Sequence, residues 1–335
     1  MPLSPALPRV SQTTHDSSVT LRHACSALGN GTISIADIDE RIRMQFRMRL
    51  RLGHFDPIGP LDAISEAEAV CSDYAIATSM AGAVQSCALL KNANASTGGT
   101  DDDDTAQKRR LPLDPTKVGT VAVLGPLAEY SEATTGYYGP HDCCGAHEKK
   151  GYWTLVDAVK RYAPKPGQVL TAAGVPKATS TNASFGIPAA VAMAKTADTV
   201  VLAVGTDLDW AAEGHDAKNL SFTNAQTALI AEVAMAAKQP LVVVLFTATP
   251  LDISALLANP RVGAVLHVGQ PSVTVLAVAE LLYGKVSPAG RTVQTFYNAA
   301  YQNEISIFDF GMRPGESTFV RPDCTTPNGT GCPLG

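Results

Sequence analysis

Between Ile35 and Arg51 the apolar positions recur at helical spacing. Ile35, Ile38, Ile42, Phe46 and Leu50 share one face, and Arg41, Arg43, Arg47, Arg49 and Arg51 fall on the others. Ser34 and Asp37 are spaced as a capping box, and Gly53 followed by His54-Phe55-Asp56-Pro57 ends the pattern. This predicts one amphipathic helix and a Pro/Gly linker ending near Pro60. Residues 1–30 have mixed polarity, Pro2, Pro5 and Pro8, and no sustained period, so they read as disordered or poorly packed.

Beyond the linker the period changes repeatedly. An Ala-rich helix is predicted over 61–80, then a short apolar run over 84–90, then a polar insertion over 92–110 that contains Asp101, Asp102, Asp103 and Asp104. Strands follow at 118–124, 168–172, 198–204, 241–246 and 262–268, alternating with helices at 153–162, 187–196, 223–237, 252–258 and 272–283. Apolar runs without polar alternation, joined by crossover helices, belong to a sheet buried on both faces. The fold class expected is α/β: a doubly wound, mostly parallel sheet with helices on both faces. The expected division is a divergent segment 1–30, a helix and linker 31–60, an α/β domain 61–311 and an irregular tail 312–335. Ligands in such sheets sit outside the carboxyl ends of the strands, so the loop after 198–204 is the first place to look for a site.

Composition narrows the function. A formal charge of −5, with no basic cluster interleaved with aromatics, gives no footprint for nucleic acid. The longest apolar stretches have the length of buried strands, well short of the roughly 18 residues that span a bilayer, so no membrane crossing is expected. Residues 1–30 lack the apolar core of a signal peptide. Acceptor sequons at Asn30, Asn94, Asn182, Asn219 and Asn328 nevertheless point to a secretory origin.

The loop itself runs Gly205-Thr206-Asp207-Leu208-Asp209-Trp210-Ala211-Ala212-Glu213-Gly214-His215-Asp216. Its carboxylates and histidine offer acid/base groups, and Trp210 offers an aromatic face of the kind sugars use; the plainer reading is a polar loop capping the next helix. Metal binding is not expected. The aspartate run lacks the spaced ligands and turn glycine of a calcium loop, and Cys143 and Cys144 beside His141 and His147 do not have the spacing of a structural zinc site. Cys324 and Cys332 flank a loop that suits either a local disulfide or two free thiols. His267 reads as a satisfied rim histidine, and Asp252 as a group near a helix N-cap. The turns after 118–124 and 198–204 carry neither a Gly-x-Gly-x-x-Gly nor a Walker pattern, so no nucleotide cofactor is implied.

The stretch Thr199 to Ile230, with "VVLAVGTDLDWAAEGHD", resembles the acid/base segment of family-three glycoside hydrolases of the β-xylosidase and α-L-arabinofuranosidase type. The resemblance extends through "ALLKN" (88–92), "LPL" (111–113), "VAVLGPLAE" (121–129), "TGYYG" (135–139), "PLDIS" (250–254), "VGAVLHVGQP" (262–271), "LLYGKVSPAGR" (281–291) and "MRPGESTFVRPDC" (312–324). It implies a retaining glycosidase, no cofactor, and a β-linked xylo-oligosaccharide or another plant-type glycoside as substrate. Glu213 matches the acid/base glutamate, which in that family also stands just before a glycine. Trp210, His215, Asp216, Tyr137 and Tyr138 are the implied substrate contacts, with the two tyrosines equally suited to packing a sheet edge.

In that family the nucleophile comes from a barrel domain, and "RLGHFDP" resembles the end of that barrel's last helix. The expectation is therefore a chain that supplies the acid/base domain and is inactive alone. Two departures bear on substrate contacts: Asp216-Ala217 stands where the family has Asp-Arg, with Lys218 one place later, and Ala211 stands where many members have glutamate.

Overall fold

The computed structural model describes residues 17–60, 64–69, 72–92, 109–131, 153–163, 168–183, 185–271 and 274–304. The chain divides into two compact units, Met1–Glu66 and Ala67–Gly335.

Among the described residues the first unit contributes two full helices. Helix α1 spans Ser17–Gly29, where the sequence pattern predicts no order. Its stop is local: Gly31 at φ 74° lets the Thr32 amide reach the Ala27 carbonyl at 2.9 Å. Helix α2 spans Ile35–Arg51 and opens with the predicted capping box. The Ser34 amide donates to Asp37 Oδ2 at 2.8 Å, and the Asp37 amide donates to Ser34 Oγ at 3.3 Å. Those Ser34 bonds, with Arg41 nearby, hold the Asp37 carboxyl below its ordinary range.

A short helical turn, Glu66–Ala69, stands at the boundary between the units, and the second unit continues with α3, Asp73–Ser86. The single helix predicted over 61–80 is thus two pieces, and the helix runs on through the start of the apolar run 84–90. The reason is a new start at Ser72, whose side chain accepts from the Ala75 amide at 3.2 Å. Cys87 then turns extended and β1 covers Ala88–Asn92.

The remaining elements are β2 (Val121–Leu124), α4 (Leu155–Tyr162), β3 (Val169–Ala172), α5 (Ile187–Thr196), β4 (Thr199–Gly205), α6 (Asn224–Ala236), β5 (Leu241–Phe246), α7 (Ser254–Ala258), β6 (Val262–Gly269) and α8 (Leu276–Leu282). They form a six-stranded sheet of order β1-β6-β5-β4-β2-β3. Every pairing is parallel except β1 with β6, where Ala88 faces His267 and Asn92 faces Ala264.

β2, β4 and β5 are buried from end to end, which is why their sequences run apolar without alternation. Alternate residues feed two cores. Val201, Ala203, Val242, Val244 and Phe246 pack with Val159 of α4 and Val278 of α8 on one face. Val200, Leu202, Val204, Val243 and Leu245 pack with Ala190 of α5, Leu229 of α6 and Leu256 of α7 on the other. This two-layered burial fixes the register, since a one-residue slip would exchange the two sets.

Candidate active site

β4 ends at Gly205, whose φ of 141° suits glycine. A Cβ there would also collide with the Phe246 carbonyl. The Thr206 amide donates to that carbonyl at 2.8 Å, so the chain leaves the carboxyl end of the sheet held against β5.

Asp207 then turns inward and is only 4% exposed. It accepts the Trp210 amide at 3.0 Å on Oδ1 and the Ala178 amide at 3.2 Å on Oδ2. Burial pushes its carboxyl up, and nearby Asp209 adds to this; the two amides and Lys177 pull the other way without cancelling it. Gln226, fully buried on α6, completes the anchorage. It accepts the Gly205 amide at 3.0 Å and donates to the carbonyls of Gly205 at 2.9 Å and Ala178 at 2.8 Å.

Above this buried base the loop is exposed and polar. Asp209 pairs with Lys177 at 2.6 Å and its carbonyl lies 2.9 Å from His215 Nε2, which is the donor because a carbonyl only accepts. Ala212 and His215 exchange backbone bonds of 2.8 and 3.0 Å, closing a two-residue hairpin. Glu213 and Gly214 are its tip, with Gly214 at φ 74° as tight turns require. Glu213 is exposed there.

Beside the hairpin lies an open cleft of about 130 Å³, lined by Thr179, Asp209, Trp210, His215, Asp216 and Lys218 with Asn219 and Thr223. The structure therefore gathers Trp210, His215 and Asp216 around one depression, with Glu213 on the adjoining tip. Trp210 is only 8% exposed, and most of its ring belongs to the core on the α6 side of the sheet. Its Nε1 is buried without a hydrogen-bond partner. Tyr137 and Tyr138 lie outside the described residues, as do the Cys143-Cys144 cluster, the Asp101–Asp104 run, Cys324 and Cys332. Among the described residues no group of three His, Cys, Asp or Glu side chains converges as a metal site would.

The two residues that hold the loop down, Asp207 and Gln226, were not singled out from the sequence. One signal was present: Gln226 stands three places after Thr223, the N-cap whose hydroxyl accepts the Gln226 amide at 3.2 Å, on the turn of α6 nearest the strand ends.

The profile described as the glycosyl hydrolase family 3 C-terminal domain matches residues 87–319, more than half of the chain. The chain belongs to glycosyl hydrolase family 3. Within the family it is 33% identical over 296 residues to the probable beta-D-xylosidase 7 of Arabidopsis thaliana, covering 87% of this chain and 35% of that protein. It is also 33% identical over 295 residues to the probable exo-1,4-beta-xylosidase bxlB of Aspergillus fumigatus, covering 87% of this chain and 34% of that protein. Among solved structures, a GH3 exo-beta-xylosidase (XlnD) in complex with a xylobiose aziridine probe superposes with a TM-score of 0.72 at 28% identity, over 88% of this chain and 34% of that one. The family 3 chain thus spans about a third of the length of the curated relatives it matches. The six-stranded, mostly parallel sheet is the fold the pattern predicts for it.

Proposed function

We propose that this family 3 chain supplies the acid/base domain of a retaining β-xylosidase-type glycosidase, with Glu213 as the proton donor. The observation that carries the reading is the position of Glu213. It is exposed on a two-residue hairpin whose base is anchored at the carboxyl end of a buried strand. A carboxyl so mounted can meet a glycosidic oxygen presented from outside, whereas one packed beneath the sheet could not.

Retaining hydrolysis needs a second carboxylate about 5–5.5 Å away, which attacks the anomeric carbon while the acid protonates the departing oxygen. A general acid also has to be enclosed, because burial beside another carboxylate keeps it protonated near working pH. Glu213 is exposed in this chain, so both the enclosure and the nucleophile are assigned to a barrel domain that covers the hairpin. The substrate class is a β-linked xylo-oligosaccharide, supported by the xylosidase relatives. The sequon asparagines Asn30, Asn182 and Asn219 are exposed, which supports a secreted protein.

The test is release of nitrophenol from an aryl β-xyloside by the purified chain, alone and mixed with the barrel domain of a family 3 β-xylosidase. Background release alone, and release in the mixture that Glu213→Gln abolishes, is the expected result. Robust Glu213-dependent turnover by the chain alone overturns the division of labour. Turnover in the mixture that is indifferent to Glu213→Gln overturns the assignment.

A second reading is a carbohydrate-binding domain without catalysis, and the cleft favours it, because Glu213 stands outside the lining. Calorimetric titration with xylose and xylo-oligosaccharides supports this reading if binding occurs while the mixture remains inactive.

A further inference from the structure

After α8 the chain returns to the carboxyl end of the sheet. Phe296 meets the imidazole of His267, at the end of β6, edge to face with ring centroids 5.3 Å apart. The Ala299 amide donates to Asp252 Oδ2 at 2.8 Å, and the Asp252 amide in turn donates to the Leu220 carbonyl at 2.6 Å. Asn298 caps the 3₁₀ turn Ala299–Asn303 by accepting the Tyr301 amide at 3.2 Å. These contacts tie residues 296–303 to the loop after β5 and to the end of β6, and Asp252 links them in turn to the loop after β4.

On this anchored segment the rings of Tyr297 and Tyr301 lie 3.8 Å apart and 5° from parallel. Tyr297 is 40% exposed and Tyr301 is half-buried. Rings this close and this nearly parallel are in direct stacked contact. The flanking hydrogen bonds hold it, and the outcome is a flat aromatic surface with one ring supported from behind and in contact with solvent.

We propose that the Tyr297–Tyr301 pair is a stacking platform for one xylopyranose unit of a β-linked oligosaccharide, a contact beyond the Glu213 hairpin. The proposal rests on the glycoside reading of the family. A xylopyranose ring with equatorial hydroxyls presents C–H bonds on both flat faces, and their slightly positive hydrogens complement the negative π-face of Tyr297. The ligand is neutral, so the contact should be insensitive to salt, unlike a cation held over the same ring. The platform shares the sheet's carboxyl end with the Glu213 loop, the end where a substrate chain long enough to reach past the scissile bond would lie.

Isothermal titration of the full chain with xylotetraose tests this, at low and high salt. Wild type should bind; Tyr297→Trp should bind as well or better; Tyr297→Ala should weaken binding about tenfold. Tyr297→Leu keeps apolar bulk without a flat face and should weaken it to a similar degree. Thermal melts of each variant establish that they are folded, and ligand-observed NMR with saturation of the aromatic protons should lose its transfer to the sugar in Tyr297→Leu. The titration reads binding and the nitrophenol assay reads turnover, so failure of the platform and failure of the acid/base assignment are told apart. No binding by wild type, or equal binding by Tyr297→Ala or Tyr297→Leu, would each overturn the proposal.

Discussion

The side-chain amide of Gln226 binds both backbone groups of Gly205, accepting its N–H at 3.0 Å and donating to its C=O at 2.9 Å. The side chain thus imitates a peptide unit of a neighbouring strand at the point where β2 has already ended, since Leu124 pairs with Leu202. Its second donor bond, to Ala178, closes the loop after β3 onto the same spot.

Gln226→Leu would leave the Gly205 amide and carbonyl unpaired in a dry interior, and the Ala178 carbonyl with only the Thr223 hydroxyl, 3.3 Å away. At 1–3 kcal/mol for a buried orphan, partly relieved by local shifts, the expected loss is about 3 kcal/mol. Urea unfolding should show a lower midpoint with an unchanged slope. Gln226→Glu should also destabilise, because a carboxylate cannot donate to either carbonyl.

Gly205 and Gly214 both have positive φ but differ in what surrounds them. A Cβ on Gly214 meets nothing within 4 Å, so Gly214→Ala should cost only backbone strain, about 1 kcal/mol. Gly214→Asn should cost less. Gly205→Ala drives a methyl into the Phe246 carbonyl and should exceed 3 kcal/mol or prevent folding. Equal thermal shifts for the two alanine variants would contradict this account.

His267 links pH to stability. Burial pulls its imidazole below the ordinary 6.5, and a hydrogen bond to the Thr247 backbone offsets this only partly. Between the folded value and 6.5 the unfolded chain binds more protons, so this contribution to stability is complete above 6.5 and is lost as pH falls below it. Unfolding free energies at pH 5 and pH 7.5 should differ less in His267→Gln than in wild type.

Trp210 separates packing from recognition. At 8% exposure, truncation to alanine empties a core site and should cost about 3–5 kcal/mol. Trp210→Phe removes a buried N–H that lacks a partner and should cost clearly less. If Trp210→Phe keeps the stability yet abolishes xylo-oligosaccharide binding, the indole face that borders the cleft contributes directly to the ligand.

The strands were legible because β2, β4 and β5 are buried on both faces, and only an uninterrupted apolar run satisfies that requirement. The break before α3 was not, because residues 61–86 are so rich in alanine that polar and apolar faces differ little, and Ser72 looks no different from Ser65 or Ser79 until its cap is seen. The antiparallel direction of β1 leaves no mark on five residues. In the site, a crowded loop could be read, but not which of its acids goes under. Asp207 and Asp209 stand two places apart, yet one is buried against the Ala178 amide and the other faces Lys177 in solvent. Gln226 looks like a surface residue of a helix until the loop around Ala178 is folded over it.

Both margins of the sheet are brief. β3 offers four residues, and β1 offers five, interrupted by an irregularity between Leu89 and Lys91. Lys91 turns its ammonium to the carbonyls of Leu257 and Asn259, placing a charged group along that border. A ladder needs several unpaired peptide groups in a row to recruit a foreign strand, and among the described residues neither border supplies a long one. Concentrated solutions of this chain should consequently resist fibre-like association, and contacts between molecules should form through side chains instead of through shared sheet.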